Sequence, residues 1–283
     1  LHVDPFSDSG VRTQRLCAEL RVDQLRIVAL AGDVGEVEAA CTAKNVRGTV
    51  GACCRLEAPA SVTAALATAL AARSPIHRTR PSALAVRAEA SELLTAVEGA
   101  LRALAPRPPA RPLALAIDLD PFGSVAAHLD AALAVAAAAA HRGVSTLLCV
   151  TTFDTGQLEK RGGGPRWGAL GGATWARPHA CWRELSLRMI LGLLARRLPS
   201  RQPTSGDAAG RRSGQRPGAS PPTLTAVFAA SMGFCLRLFV EVRPGAGVGG
   251  AARGAACDAG GDAGCDAALG AALWCAACGE RSW

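Results

Sequence analysis

Residues 118–123 read Asp-Leu-Asp-Pro-Phe-Gly and directly follow a short apolar run, Leu113–Ile117. The run has the length and composition of a strand, and the Pro-Phe-Gly turn stops it. Open α/β sheets bind ligands beyond the carboxyl ends of their strands. At such an edge a carboxylate can accept from the exocyclic NH2 of a planar base while an aromatic ring stacks on the base itself. Asp118, Asp120, Pro121 and Phe122 are therefore the candidate catalytic residues. The alternative for Phe122 is a core ring that caps the sheet edge.

Three more acid-bearing turns precede this one. Val3-Asp4-Pro5-Phe6-Ser7-Asp8-Ser9-Gly10-Val11-Arg12 sets an acid, Asp4, and a glycine, Gly10, in a strand–loop–helix turn where backbone can approach a ligand. Ile27–Leu30 runs into Ala31-Gly32-Asp33. An acid about 20 residues past a glycine loop is where a Rossmann-like site grips ribose hydroxyls. Asp33 serves equally as a helix N-cap before Gly35. Arg87-Ala88-Glu89-Ala90 offers an acid that can bond an adenine amino group, or an exposed first-turn glutamate favoured by the helix dipole. Together the four turns describe a nucleoside-containing cofactor lying across the sheet edge. No Gly-x-x-x-x-Gly-Lys loop is present, which argues against an ATPase, and Ser7–Arg12 lacks the Gly-x-Gly-x-x-Gly of a dinucleotide site. A cofactor without a pyrophosphate, S-adenosyl-L-methionine, fits better.

The elements that must hold these turns alternate. Strands are expected at Leu25–Leu30, Ala83–Arg87, Leu113–Ile117 and Thr146–Thr151. Helices are expected from Gly35 to about Asn45, Ser91 to Leu104, Val125 to His141 and Pro178 to Leu198, the last with Leu185, Met189 and Leu193 on one stripe. This βαβα order predicts an α/β fold with a mostly parallel sheet and helices on both faces. Phe234–Val242 is a further strand. Residues 199–222, rich in Arg, Gly, Ser and Pro, read as a flexible insert, and Gly245–Gly270 is a Gly/Ala/Asp low-complexity run.

Composition bounds the rest. A chain of 283 residues, 49% hydrophobic, has ample material for a core. It has no tyrosine, six phenylalanines and two lysines, Lys44 and Lys160, which has the look of a coding bias toward alanine, arginine and glycine. The net charge of +8 favours a polyanionic partner, although several arginines fall in Arg196–Arg216. Eleven cysteines, among them Cys17, Cys41, Cys149 and Cys235 in apolar segments, suggest buried thiols and an intracellular, reducing compartment. No apolar run reaches the ~20 residues that span a bilayer, so no membrane association is expected. No obligate protein partner is implied either.

The motif order resembles the tRNA (guanine-26-N2)-dimethyltransferase family, whose catalytic domain is a Rossmann-like class I methyltransferase. The resemblance runs from Asp4–Arg12 through Gly32-Asp33-Val34 with Asn45-Val46, Glu89-Ala90, Asp118–Gly123, Leu148–Asp154 and Glu184–Leu191 to Phe234–Val242. It implies that Arg12 contacts S-adenosyl-L-methionine, Asp33 its ribose, and Glu89 and Ala90 its adenine. Asp118–Gly123 would face both methyl donor and target guanine, and tRNA would be the partner. Four positions depart from the family: Gly32 for an asparagine, Glu89 for an aspartate, Gly233 for an acid and Cys235 for a tyrosine.

Residues 1–243 are thus expected to form the methyltransferase domain, and 244–283 a low-complexity tail with the start of a truncated C-terminal domain. The resemblance also implies an arginine-bearing segment ahead of Leu1, so the chain is expected to be a fragment. Cys275 and Cys278 have the spacing of half a zinc site. Cys257 and Cys265 are the nearest other thiols, and the resemblance implies a second pair beyond Trp283, so a complete zinc site is not expected here. Two other functions fit the residues: another nucleic-acid amino-methyltransferase, and a catalytically inactive RNA-binding paralogue.

Overall fold

A computed structural model describes residues 1–19, 27–47, 50, 52–56, 59–71, 81–103, 113–161, 167, 180–198 and 221–245. Eight strands are described: β1 His2–Asp4, β2 Val28–Asp33, β3 Ala52–Leu56, β4 Ser82–Arg87, β5 Ala114–Leu119, β6 Ser145–Thr152, β7 Thr223–Met232 and β8 Cys235–Arg243. They form one sheet in the order β3-β4-β2-β1-β5-β6-β8-β7. Neighbours from β3 to β6 run parallel, and β8 runs antiparallel to both β6 and β7. The chain winds outward from β1 in one direction through β2 and in the other through β5, so the sheet reverses beside β1. That is where a ligand crevice forms in such sheets.

The helices are α1 Val11–Glu19, α2 Glu36–Arg47, α3 Pro59–Ala71, α4 Ala90–Ala103, α5 Leu129–Ala140, α6 Thr155–Arg161 and α7 Trp182–Arg197. Strand β2, Val-Ala-Leu-Ala-Gly-Asp, is buried up to Gly32 because helices cover both of its faces. Val28 and Leu30 join the main core with Leu93, Leu94 and Val97 of α4. Ile27 and Ala29 face the other way, into a small cluster with Cys17 of α1, Val46 of α2 and Val50. Helix α2 starts on Glu36 and Glu38 and ends on Lys44 and Arg47, charges that complement its dipole. Helix α5 is two-thirds alanine and mostly buried, which lets α4 and β6 approach it closely.

Several expectations shift. The second strand runs from Val28 to Asp33, three residues past the expected end, while Leu25 and Arg26 lie outside the described residues. Helix 125–141 divides into a single 3₁₀ turn, Val125–His128, and α5. Strand β5 runs on to Leu119, pairing Asp118 with Cys149 and Leu119 with Val150, so Asp118 lies inside the strand and not in the turn after it. The unit β3–α3 intervenes in sequence between the second and third acid-bearing turns, so those turns do not follow four successive strands. In space they do adjoin, because β4, β2, β1 and β5 are neighbours in the sheet. Cys41 is exposed, unlike Cys17, Cys149 and Cys235, since it lies on the outer face of α2. Residues 199–220 and 246–283, with the insert, the low-complexity run and Cys257, Cys265, Cys275 and Cys278, lie outside the described residues. Among those described, no helix is long and apolar enough to cross a membrane, and no group of His, Cys, Asp and Glu could hold a metal ion.

Candidate functional site

The loop after β1 is tied down by its own small polar residues. Ser7 donates from both its N–H (2.9 Å) and its hydroxyl (3.0 Å) to the carbonyl of Gly32. Thr42 of α2 donates its hydroxyl to the Asp8 carbonyl at 2.8 Å, and Asn45 donates to the Ser9 carbonyl at 2.8 Å. Gly10 has φ +75°, and a Cβ there would lie 2.9 Å from the Thr42 backbone. The room that glycine leaves is therefore filled by α2, not kept open for a ligand.

These ties aim Arg12, at the start of α1, back across the end of β1. Its guanidinium donates to Asp4 Oδ1 (3.2 Å), to the Phe6 carbonyl (2.8 Å) and to Asp120, and it lies 3.7 Å from Asp118 Oδ2. Arg237 of β8 reaches the same place from the far side. Its Nη2 donates to both Asp118 oxygens, at 3.0 and 3.3 Å, and its Nη1 lies 3.8 Å from Asp120. Three carboxylates thus meet two guanidinium groups at the carboxyl ends of β1 and β5, with one negative charge in excess when all are ionised.

Burial governs this cluster. Asp4 is wholly inaccessible, and burial pushes its carboxyl up to about 6, Arg12 opposing and Asp118 adding to the rise. Its second oxygen, Oδ2, is buried with no hydrogen-bond partner, an arrangement that ordinarily costs free energy. Burial also raises Asp118, against the pull of Arg237 and Arg12. Behind Asp118 the Cys149 thiol is pushed up to about 12, by burial first and by the Asp118 carboxylate second. That thiol stays protonated, and its nucleophilicity stays low.

Asp33 and Glu89 flank the cluster at the ends of β2 and β4. Asp33 accepts from the N–H of Gly35 at 3.1 Å and of Asp8 at 3.0 Å, so it caps the turn into α2 and pins the first loop. Glu89 accepts from the N–H of Ser91 and Glu92 at 2.8 and 3.3 Å, capping α4, and Ala90 is buried as that helix's first residue. Glu89 Oε1 lies 3.9 Å from Nδ1 of His128, which also meets the Ser91 hydroxyl at 3.2 Å. Both acids are partly accessible and keep free lone pairs on their solvent side.

The turn at 121–124 is held from β6. Pro121 is buried, the Gly123 carbonyl accepts from Phe153 N–H at 3.1 Å, and Ser124 donates its hydroxyl to Asp154. Trp167 Nε1 donates to the same Asp154 at 3.0 Å. Phe122 stands clear at the tip, 92% exposed, which excludes the role of a core ring. Four residues of the site had been given no role from sequence. Arg237 left a local signal, a lone cation in the apolar run Phe-Cys-Leu-Arg-Leu-Phe-Val. Phe153 and Asp154 fall in the Leu148–Asp154 block of the resemblance, which implied no role for them, and His128 left no signal.

The strand order, with β8 alone reversed, defines a Rossmann-like fold of the class I methyltransferase type. A solved complex of Trm1 from Pyrococcus horikoshii with S-adenosyl-L-methionine has the same fold, with a TM-score of 0.53 and 20% sequence identity. The similarity covers 87% of this chain and 51% of that one, so the chain spans about half the length of that structure. No family model and no curated protein matches the chain.

Proposed function

We propose that this chain is an S-adenosyl-L-methionine-dependent methyltransferase acting on the exocyclic N2 of a guanine in tRNA, at position 26 by its resemblance to the dimethyltransferase family. The observation that carries the reading is the turn after β5: Asp120 sits beside a fully presented Phe122, with the acids of β1, β2 and β4 arrayed on adjacent strands. The likeness to Trm1 in complex with S-adenosyl-L-methionine supports the choice of cofactor.

The residues suit that cofactor's charge. A cofactor of net positive charge, carrying a sulfonium, an ammonium and one carboxylate, is favoured where carboxylates outnumber guanidinium groups. Arg12, fixed from behind by the inaccessible Asp4, would hold the amino-acid end, Asp33 the ribose hydroxyls, and Glu89 with Ala90 the adenine. When bound, the cofactor supplies a methyl group made electrophilic by its sulfonium.

What remains for the protein is to position a poor nucleophile. The guanine N2 lone pair is delocalised into the ring. Phe122 stacks on the guanine once it has left its neighbours in the RNA. Asp120 accepts an N–H bond, which favours a pyramidal nitrogen, and takes the proton as the nitrogen becomes alkylated. Arg12 and Arg237 fix the Asp120 carboxylate against rotation. This is catalysis by orientation and fixed charge.

Methyl transfer to an unmodified tRNA transcript tests the reading, followed by nucleoside analysis of the product. Asp120→Ala is expected to lower kcat by about a hundredfold or more, the scale for removing one fixed polar group that faces the reacting atoms. Undiminished N2-methylguanosine formation by that variant would sink the assignment. Methylation appearing on a different base would redirect it to another amino-methyltransferase. RNA binding without any calorimetric signal for S-adenosyl-L-methionine would favour an inactive RNA-binding paralogue.

A further inference from the structure

Phe153 and Phe234 stack at the edge of this site. Their ring centroids lie 5.9 Å apart and their planes differ by 16°. The pair is built into the methyl-transfer turn, because Phe153 donates its N–H to the carbonyl of Gly123 at 3.1 Å. Phe234 comes from the tight turn between β7 and β8, and Thr155 donates its hydroxyl to the Phe234 carbonyl at 3.4 Å. Its outer side is open, with 71% of the residue exposed. The chain has only six phenylalanines and no tyrosine. Three of the six, Phe122, Phe153 and Phe234, are drawn from three separate segments to this one corner.

An exposed ring backed by a second, parallel ring presents a flat apolar face whose orientation is already fixed. Unpaired nucleic-acid bases stack on such faces, at about 1–3 kcal/mol per base and with little regard for sequence. The hairpin tip Ser231-Met232-Gly233-Phe234-Cys235 carries no acid to repel phosphate, and the chain's net charge of +8 complements a polyanion. A guanine that leaves its stack for Phe122 also strips a stacking partner from its neighbour in the RNA.

We propose that the Phe153–Phe234 stack is a platform for the nucleotide beside the target guanine, whose stacking face is uncovered when that guanine leaves. The proposal deepens the tRNA reading above and rests on it for the identity of the target. RNA is favoured over a protein partner because the platform is continuous with the turn that carries Phe122.

The test uses the full chain with Phe234→Ala and Phe234→Trp, an unmodified tRNA transcript as probe, and binding followed by fluorescence anisotropy at one fixed salt concentration. Phe234→Ala is expected to weaken RNA binding and raise KM for the transcript about tenfold, a loss that corresponds to one stacked base. KM for S-adenosyl-L-methionine and the thermal midpoint should not move, and Phe234→Trp should restore affinity. Wild-type affinity in Phe234→Ala overturns the platform, as does a wild-type chain that binds no RNA. A changed elution volume with unchanged RNA affinity also overturns it and makes Phe234 a protein contact. Wild-type binding without methyl transfer removes the proposed activity, while the anisotropy comparison still decides the platform.

Discussion

The two ends of the sheet are built on opposite plans. From β3 to β5 the strands are short, parallel and rich in alanine, and what they expose at their carboxyl ends is charge. From β6 to β7 the strands are longer and reversed at β8, and what they expose is apolar. Val227, Phe228, Met232 and Phe234 are all largely accessible, and the whole run Thr223–Phe234 has no charged residue. The parallel end is suited to enclosing a small charged ligand. The hairpin end is suited to offering flat apolar area. One residue belongs to both, since Arg237 rises from the hairpin and closes on Asp118.

The sharpest way to break the comparison is to cut that link. Arg237→Met keeps most of the side-chain length and leaves Asp118 without its closest cation. Removing one partner of a largely buried pair is expected to cost about 3 kcal/mol, read by chemical denaturation. A loss below about 1 kcal/mol would mean that the two ends are energetically independent.

A second test concerns the acids themselves. Burial raises Asp4 from 3.8 to about 6, so stability contributed by its proton is present below pH 4 and lost as pH rises through 6. Burial lowers His2 from 6.5 to about 4, the charge on Arg12 adding to the effect, so its contribution runs the other way and is lost as pH falls through 4. Each amounts to about 3 kcal/mol across its range. The wild-type chain should therefore show a nearly flat stability between pH 4 and 6. Asp4→Asn should make stability climb with pH over that window, and His2→Gln should make it fall. Parallel, flat profiles for all three proteins would remove the buried charges from the account.

Gly32 offers a smaller effect. A Cβ at this position would fall 2.3 Å from Leu93 Cδ2, in the packed interior between β2 and α4. Gly32→Ala should cost about 1–2 kcal/mol. The double variant with Leu93→Ala should cost less than the sum of the two single changes. Strict additivity would show that the strand and helix are not in contact there.

The smallest effect is expected at the hairpin. Val227 is the bulged residue between Ala226 and Phe228 in the β7–β8 ladder, and it is mostly exposed. Val227→Lys should change stability by less than about 0.5 kcal/mol and raise solubility, as charge on an edge strand does. A large destabilisation would mean that this apolar surface is packed rather than presented.

How much of this was legible beforehand follows the same division. The acid-bearing turns at Asp4, Asp33, Glu89 and Asp118–Gly123 are local signals, each written within a few residues, and the structure sets them on adjoining strands. The unit β3–α3 was missed, because Ala52–Leu56 is short and interrupted by Arg55, and Pro59–Ala71 is too uniformly alanine-rich to show a polar face. Strand β7 was missed because Thr223–Met232 follows a polar segment and lacks a firm alternation. The partners of the acids could not be read at all. Nothing near Asp118 points to Arg237, and nothing near Ser124 points to Asp154. The end of β5 was misplaced for a related reason: Asp118 looks like a turn residue until β6 is there to pair with it.

The span between Asp118 and Arg237 also sets an order of events. They are 119 residues apart in the chain. During synthesis β1 to β6 are made before β8, so the acid cluster must wait without its second guanidinium. Closing so long a loop is entropically costly and is compensated only when β8 lies down on β6. The parallel half can therefore collapse early, but the finished charge pattern is among the last features to form, and a ribosome-bound chain that stops before Cys235 carries the Asp118–Gly123 turn with Asp118 lacking its closest cation.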